Sequence, residues 1–151
     1  MREEEKTRPL LLLALDDDRD VSTISEALGD EVELHSMTTG GLLLERARSG
    51  PAPELFIIGV SLPDSDGFEL CRALKREASI RQIPVVFVFK EATEEVQRKS
   101  FEVGAADYLV SPLDLSTVRA RVRTQLELER LRRLTVTALA IDPTTSVAAQ
   151  H

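Results

Sequence analysis

"ELFIIGVSLPDSDGFEL", residues 54–70, decides how the chain is read. Leu55-Phe56-Ile57-Ile58 is an unbroken apolar run of strand length. Pro63 to Gly67 carry turn chemistry, and Phe68, Leu70, Cys71 and Leu74 then recur at helical spacing. A strand covered on both faces reads as continuous apolar sequence, whereas a half-exposed strand alternates. The stretch therefore predicts a buried parallel strand, a loop and a crossover helix, with Asp66 as the helix cap. Gly59 ends the strand, where a sheet of this kind presents its chemistry, and it has no side chain to present.

The same alternation runs along the chain in both directions. Apolar runs predict strands at Leu10–Leu15, Glu31–Met37, Leu55–Val60, Ile83–Phe89 and Asp107–Val110. Between them, helical spacing predicts helices at Val21–Leu28, Gly41–Arg48, Gly67–Glu77 and Glu94–Val103, with a last helix from Leu115 to Leu134. Thr93 before Glu94 and Glu95 reads as an N-cap with acidic first-turn residues, and Gly104 as a C-terminal stop. Strict strand–helix alternation implies an α/β fold, a doubly wound five-stranded parallel sheet with right-handed crossovers. Ligands bind beyond the carboxyl ends of such strands, which directs attention to Asp16–Asp18, Gly59–Ser61, Phe89–Lys90 and Ser111–Pro112.

Composition narrows the function classes. The 151 residues suit one domain with a tail, and 42% hydrophobic with 30% charged residues is the balance of a soluble globular chain. No apolar run approaches the roughly 20 residues of a membrane span, and the acidic start predicts no signal peptide. The single cysteine, Cys71, precludes an internal disulfide and suits a cytoplasmic setting. A net charge of −7 argues against general nucleic-acid binding.

Asp16-Asp17-Asp18 follows the first strand. Adjacent carboxylates repel, so they sit where a cation offsets them, or else Asp18 caps the first helix and its neighbours are solvated. The stretches "LLLALDDDRD", "LFIIGVSLPDSDGFELCRALK", "IPVVFVF" and "GAADYLVSPLD", with the helix after the last, resemble in the right order those of bacterial response-regulator receiver domains. From Pro9 to Leu126 the chain resembles that family, which implies the flavodoxin-like (βα)5 fold. In the family an aspartate ending the third strand accepts a phosphoryl group and an acid pair after the first strand helps hold Mg²⁺. A Ser or Thr after the fourth strand and a Lys before proline after the fifth contact the phosphate.

Carried over by position, Asp16 and Asp17 match the acid pair and Gly59 stands at the phospho-acceptor. Phe89 stands at the Ser/Thr position, Ser111 at the Lys position, and Tyr108 at the aromatic that turns inward on phosphorylation. Three of the four chemical functions are missing together, so the resemblance implies a receiver without phosphoryl chemistry. It has no resident cofactor beyond weak or vestigial Mg²⁺ at Asp16 and Asp17, and Phe89 puts an apolar ring where phosphate oxygens would sit. An alternative keeps phosphorylation but moves it to Asp64 or Asp66. A third reading, a flavodoxin-like enzyme or flavin carrier, meets an acidic turn, "LDDDRD", that would repel phosphate.

Lys90 follows Phe89, so strand alternation turns it away from the acids and into solvent. Cys71 belongs to the core, and His35 has no acidic partner nearby in sequence. The last helix outlasts what closes the fold. Leu115, Val118, Val122 and Leu126 make its inner face, while Leu128, Leu131, Leu134 and Ala138 carry a stripe beyond it. Glu129 is spaced for exposed helix pairs with Arg132 and Arg133. The six arginines from Arg119 to Arg133 are interspersed with acids and read as a solvated face.

The organisation expected is a flexible start at 1–8, a receiver-like domain at 9–126, a helical extension at 127–141 and a tail at 142–151. The tail, with Asp142, Pro143, Thr145 and Ala148, resembles the lead-in to diguanylate cyclase (GGDEF) domains. The expectation is a non-enzymatic interaction module with a protein partner or output domain, dimerising through its last helices, with no nucleic-acid or membrane partner.

Overall fold

The computed structural model describes residues 8–141, with side chains to residue 137. The elements are β1 (Leu10–Ala14), α1 (Asp18–Leu28), β2 (Glu33–Met37), α2 (Gly40–Ser49), β3 (Leu55–Gly59) and α3 (Gly67–Arg76). They continue with β4 (Val85–Phe89), α4 (Glu94–Glu102), β5 (Asp107–Val110) and α5 (Leu115–Ile141). All strand pairs are parallel, in the order β2-β1-β3-β4-β5. The expected doubly wound α/β fold is therefore the observed one. The tail at 142–151 and the start at 1–7 lie outside the described residues.

Each central strand buries both faces, which is why the sequence of β1, β3 and β4 has no polar positions. Leu12, Ala14, Phe56, Ile58, Phe87 and Phe89 pack under α2, α3 and α4. Leu11, Leu13, Leu55, Ile57, Val86 and Val88 pack under α1 and α5, against Ile24, Val118 and Val122. The register sets Gly59 beside Val88 and Phe89 beside Val110, so the strand ends open on one edge of the sheet.

Side-chain caps fix where the helices start. Thr39, Asp66 and Thr93 accept the backbone N–H groups of Leu42, Phe68 and Val96. Helix α1 starts earlier than its apolar spacing predicts, because Asp17, not Asp18, is the cap, accepting from Arg19 N at 2.9 Å. Asp18 lies inside the first turn, where a carboxylate meets the positive end of the helix. The second strand is shorter than expected, since Gly29–Glu31 forms a 3-10 turn.

Gly67 explains how tightly the decisive stretch folds back. A Cβ there would collide with the Gly59 carbonyl oxygen and lie 2.9 Å from Val60 Cα. Its N–H donates to Val60 O at 2.7 Å, pinning the start of α3 against the end of β3.

Helix α5 continues beyond Leu134, to Ile141. Contact with the domain also runs past Leu126. Glu129 is 3% exposed, so its expected exposed pairing is corrected: Arg132 Nη2 and Arg133 Nε donate to it at 2.8 and 2.9 Å and cover it. Burial raises its carboxyl pKa, but the two guanidinium groups outweigh that and hold it below the usual range. Arg133 also reaches Glu54 at 3.9 Å, across from the start of β3. Leu128, Leu131 and Leu134 are 55%, 46% and 53% exposed. The side chain of Ala138 lies outside the described residues.

Candidate functional site

The ends of β1, β3, β4 and β5 enclose a cleft of about 310 Å³ that brings together Asp16, Asp17, Gly59, Phe89 and Ser111. Sequence reasoning named all five, and the parallel topology gathers them because each follows the carboxyl end of a strand.

Gly59 leaves space and supplies no group. A Cβ there would meet Leu15, Ala14 O and Leu62 at 3.5–3.6 Å, ordinary contact distances. The position is therefore not glycine because a side chain is sterically forbidden.

Phe89 is 6% exposed and stacks on Tyr108, with ring centroids 4.9 Å apart and planes at 28°. The Tyr108 hydroxyl donates to Gln97 Oε1 on α4 at 2.9 Å, and Phe101 meets its ring edge-on at 6.1 Å. Tyr108 is thus half-buried between β4, α4 and α5, where Arg121 lies 5.7 Å from its ring centre.

Ser111 turns inward and donates to both carboxylate oxygens of Asp20, at 2.8 and 3.1 Å. Asp20 is 4% exposed and lines the cleft. Sequence reasoning missed it as a site residue. Its signal was available: it closes "LDDDRD" and precedes Val21, in the first turn of α1, where it is buried towards the sheet.

The family's Mg²⁺ does not fit the residues present. Asp17 is engaged by the Arg19 backbone N–H and guanidinium, which hold its carboxyl below the usual range. Gly59 offers no oxygen from a side chain, and no group of three His, Cys, Asp or Glu is placed to hold a metal among the described residues. Mg²⁺ demands a near-octahedral oxygen shell, which two acids at a rim do not provide.

Lys90 is exposed, as expected, and makes no ion pair among the described residues. It nevertheless lines the cleft beside Asp16 and Asp17, contrary to the alternation expected. The strand stops at Phe89, so its two-residue period no longer directs the next side chain.

The two carboxylates considered as alternative acceptors have other partners. Asp64 accepts from Gly40 N and Gly41 N at 2.9 and 3.0 Å, and these bonds lower its pKa. Asp66 accepts from Phe68 N at 2.6 Å. Cys71 is fully buried, and burial raises its thiol pKa. His35 does have an acidic neighbour: Nε2 lies 3.0 Å from Glu33 Oε2, because residues two apart on a strand share a face. This pair is exposed on β2, on the far side of the sheet from β5.

No helix among the described residues is long and apolar enough to cross a membrane. The family model of the response regulator receiver domain matches residues 12–123. The chain is 27% identical over 120 residues to a probable cyclic di-GMP phosphodiesterase of Vibrio cholerae, covering 79% of this chain and 27% of that protein. It is 32% identical over 121 residues to the transcriptional regulatory protein AfsQ1 of Streptomyces coelicolor, covering 78% of this chain and 51% of that protein. The chain thus spans only part of the curated relatives it matches. A solved structure of a putative response regulator from Chloroflexus aurantiacus superposes with a TM-score of 0.75 at 25% identity, covering 80% of this chain and 99% of that one. Sheet order, strand-end cleft and the match over residues 12–123 agree, and the chain belongs to the response regulator receiver domain family of two-component signalling.

Proposed function

We propose that this receiver domain signals without phosphorylation, as a cytoplasmic protein-interaction and dimerisation module coupled to a C-terminal output domain such as a diguanylate cyclase. The observation that carries this reading is the set of partners around Gly59. The acceptor position has no side chain, Phe89 is committed to Tyr108, and Ser111 is committed to Asp20. Phosphoryl transfer is assisted by positioned charge, and none of these three groups supplies it.

The reading gives the chain no chemical step of its own and places its work on surfaces. Phe101 and Val110 are 49% and 40% exposed on α4 and the edge strand β5. The exposed leucines of α5 lie on the face turned away from the sheet, where a second copy of the helix can cover them. Incubation with acetyl phosphate and Mg²⁺, followed by intact mass measurement, tests the central claim. Unmodified protein is expected, and a stoichiometric adduct at Asp64 or Asp66 would overturn it.

A further inference from the structure

Asp20 is a buried carboxylate in the first turn of α1 that has no cationic side chain paired with it among the described residues. It is 4% exposed, and among the described residues its only side-chain donor is the single hydroxyl hydrogen of Ser111. An ionised carboxylate offers about four acceptor sites, and acids this deeply buried are ordinarily paired with a cation. None of the ion pairs among the described residues includes Asp20. Lys90 lines the cleft, and Arg19 and Lys90 line the adjoining hollow with Asp20, but Arg19 pairs with Asp17 and neither forms an ion pair with Asp20 among the described residues.

The cleft that Asp20 faces has two chemistries. Asp16 and Asp17 add negative charge at its mouth, while Leu15, Val88 and Phe89 make an apolar floor. Its volume of about 310 Å³ is at the small end of ligand pockets, which begin at about 300 Å³. A hydrated divalent ion would gain nothing from the floor, and among the described residues no three acidic side chains are placed to ligate it together. A guanidinium on an alkyl stem matches both parts. Its planar fork pairs with a carboxylate through two hydrogen bonds, it is weakly hydrated, and its stem covers apolar surface.

We infer that the cleft is a binding site for an alkylguanidinium group, with its head on Asp20 and Asp16 and its stem against Leu15, Val88 and Phe89. The inference rests on the reading that this site takes no phosphoryl group, and it assigns the emptied position a different ligand. The guanidinium belongs either to a free small molecule or to an arginine of a partner protein.

Amide NMR titration of the full chain with n-butylguanidinium tests this, with butyrate, Mg²⁺ and N-acetylarginine methylamide as comparisons. Saturable shifts at Gly59, Lys90 and Ser111 are expected, with a Kd tighter than about 10 mM and no response to butyrate. Asp20→Asn, which keeps the Ser111 bond, should weaken binding by about tenfold or more. Asp16→Asn, at the exposed mouth, should weaken it severalfold and keeps the test open if Asp20→Asn does not fold. Equal binding of N-acetylarginine methylamide identifies a partner's arginine as the source, and binding of butylguanidinium alone identifies a free molecule; both uphold the site. Absence of saturation, unchanged affinity in both variants, or equally strong competition by Mg²⁺ would overturn it. A phosphoryl adduct beside intact guanidinium binding would sink the phosphorylation reading alone.

Discussion

Phe89 and Tyr108 stack across β4 and β5, ring on ring at 4.9 Å, with the tyrosine hydroxyl tied to Gln97 of α4. The two residues that the family resemblance sets at the phosphate-contacting position and at the switch aromatic are thereby joined by packing. Tyr108 is held by the Phe89 ring, the Gln97 side chain and the Phe101 ring.

That contact is directly readable. Tyr108 is the only tyrosine and the chain has no tryptophan, so intrinsic emission reports this ring alone. Phe89→Ala should change tyrosine emission and destabilise the fold by about 3–5 kcal/mol, the cost of deleting a buried ring. An unchanged spectrum in a folded variant would show that the stack does not set the ring's environment.

Restoring the acid alone should not restore a switch. Gly59→Asp has room for its Cβ but places a carboxylate near Asp16 and Asp17 with no lysine at 111 to balance it. With acetyl phosphate and Mg²⁺, the amide spectrum around Tyr108 should stay as it is. The triple change Gly59→Asp, Phe89→Thr, Ser111→Lys should be the first to respond, and a large shift with the single change would refute this account.

The two glycines of the decisive stretch should behave oppositely. Gly59→Ala meets ordinary contacts and should move stability by less than about 1 kcal/mol. Gly67→Ala would drive a methyl into the backbone of Gly59 and Val60 and should cost about 1–3 kcal/mol. Denaturant melts of the two variants decide this, and equal midpoints would contradict the close approach.

Glu129 should make stability pH-dependent. Its folded pKa lies below its unfolded value, so its contribution is present above the unfolded pKa and lost as pH falls through the folded one. Glu129→Gln should therefore cost about 1–3 kcal/mol at neutral pH, with the gap to the parent closing in acid. A gap that stayed constant with pH would mean that the arginines do not hold this carboxylate.

The exposed leucines of α5 should carry self-association. Leu131→Glu with Leu134→Glu, two positions at 46% and 53% exposure, should leave the melting temperature nearly unchanged and lower the sedimenting mass to that of a monomer. A parent chain that is itself monomeric at high concentration would remove the dimer from the proposal.

The sequence by itself determined the order and kind of the elements. Strands buried on both faces leave unbroken apolar runs such as Leu55–Ile58, and helices leave stripes such as Phe68, Leu70, Cys71 and Leu74; both signals are local. It also determined that residue 59 has no acid, and the parallel topology it implies gathers Asp16, Gly59, Phe89 and Ser111 at the strand ends. Only the tertiary structure decided which groups meet. Ser111 and Asp20 are 91 residues apart in the chain, and Asp64 caps α2 from 24 residues away. Glu129 reads as a surface acid until Arg132 and Arg133 close over it near Glu54. Periodicity tells which face a side chain occupies, but a partner from another element is fixed only when the helices pack on the sheet, because packing alone sets the distance between groups remote in sequence.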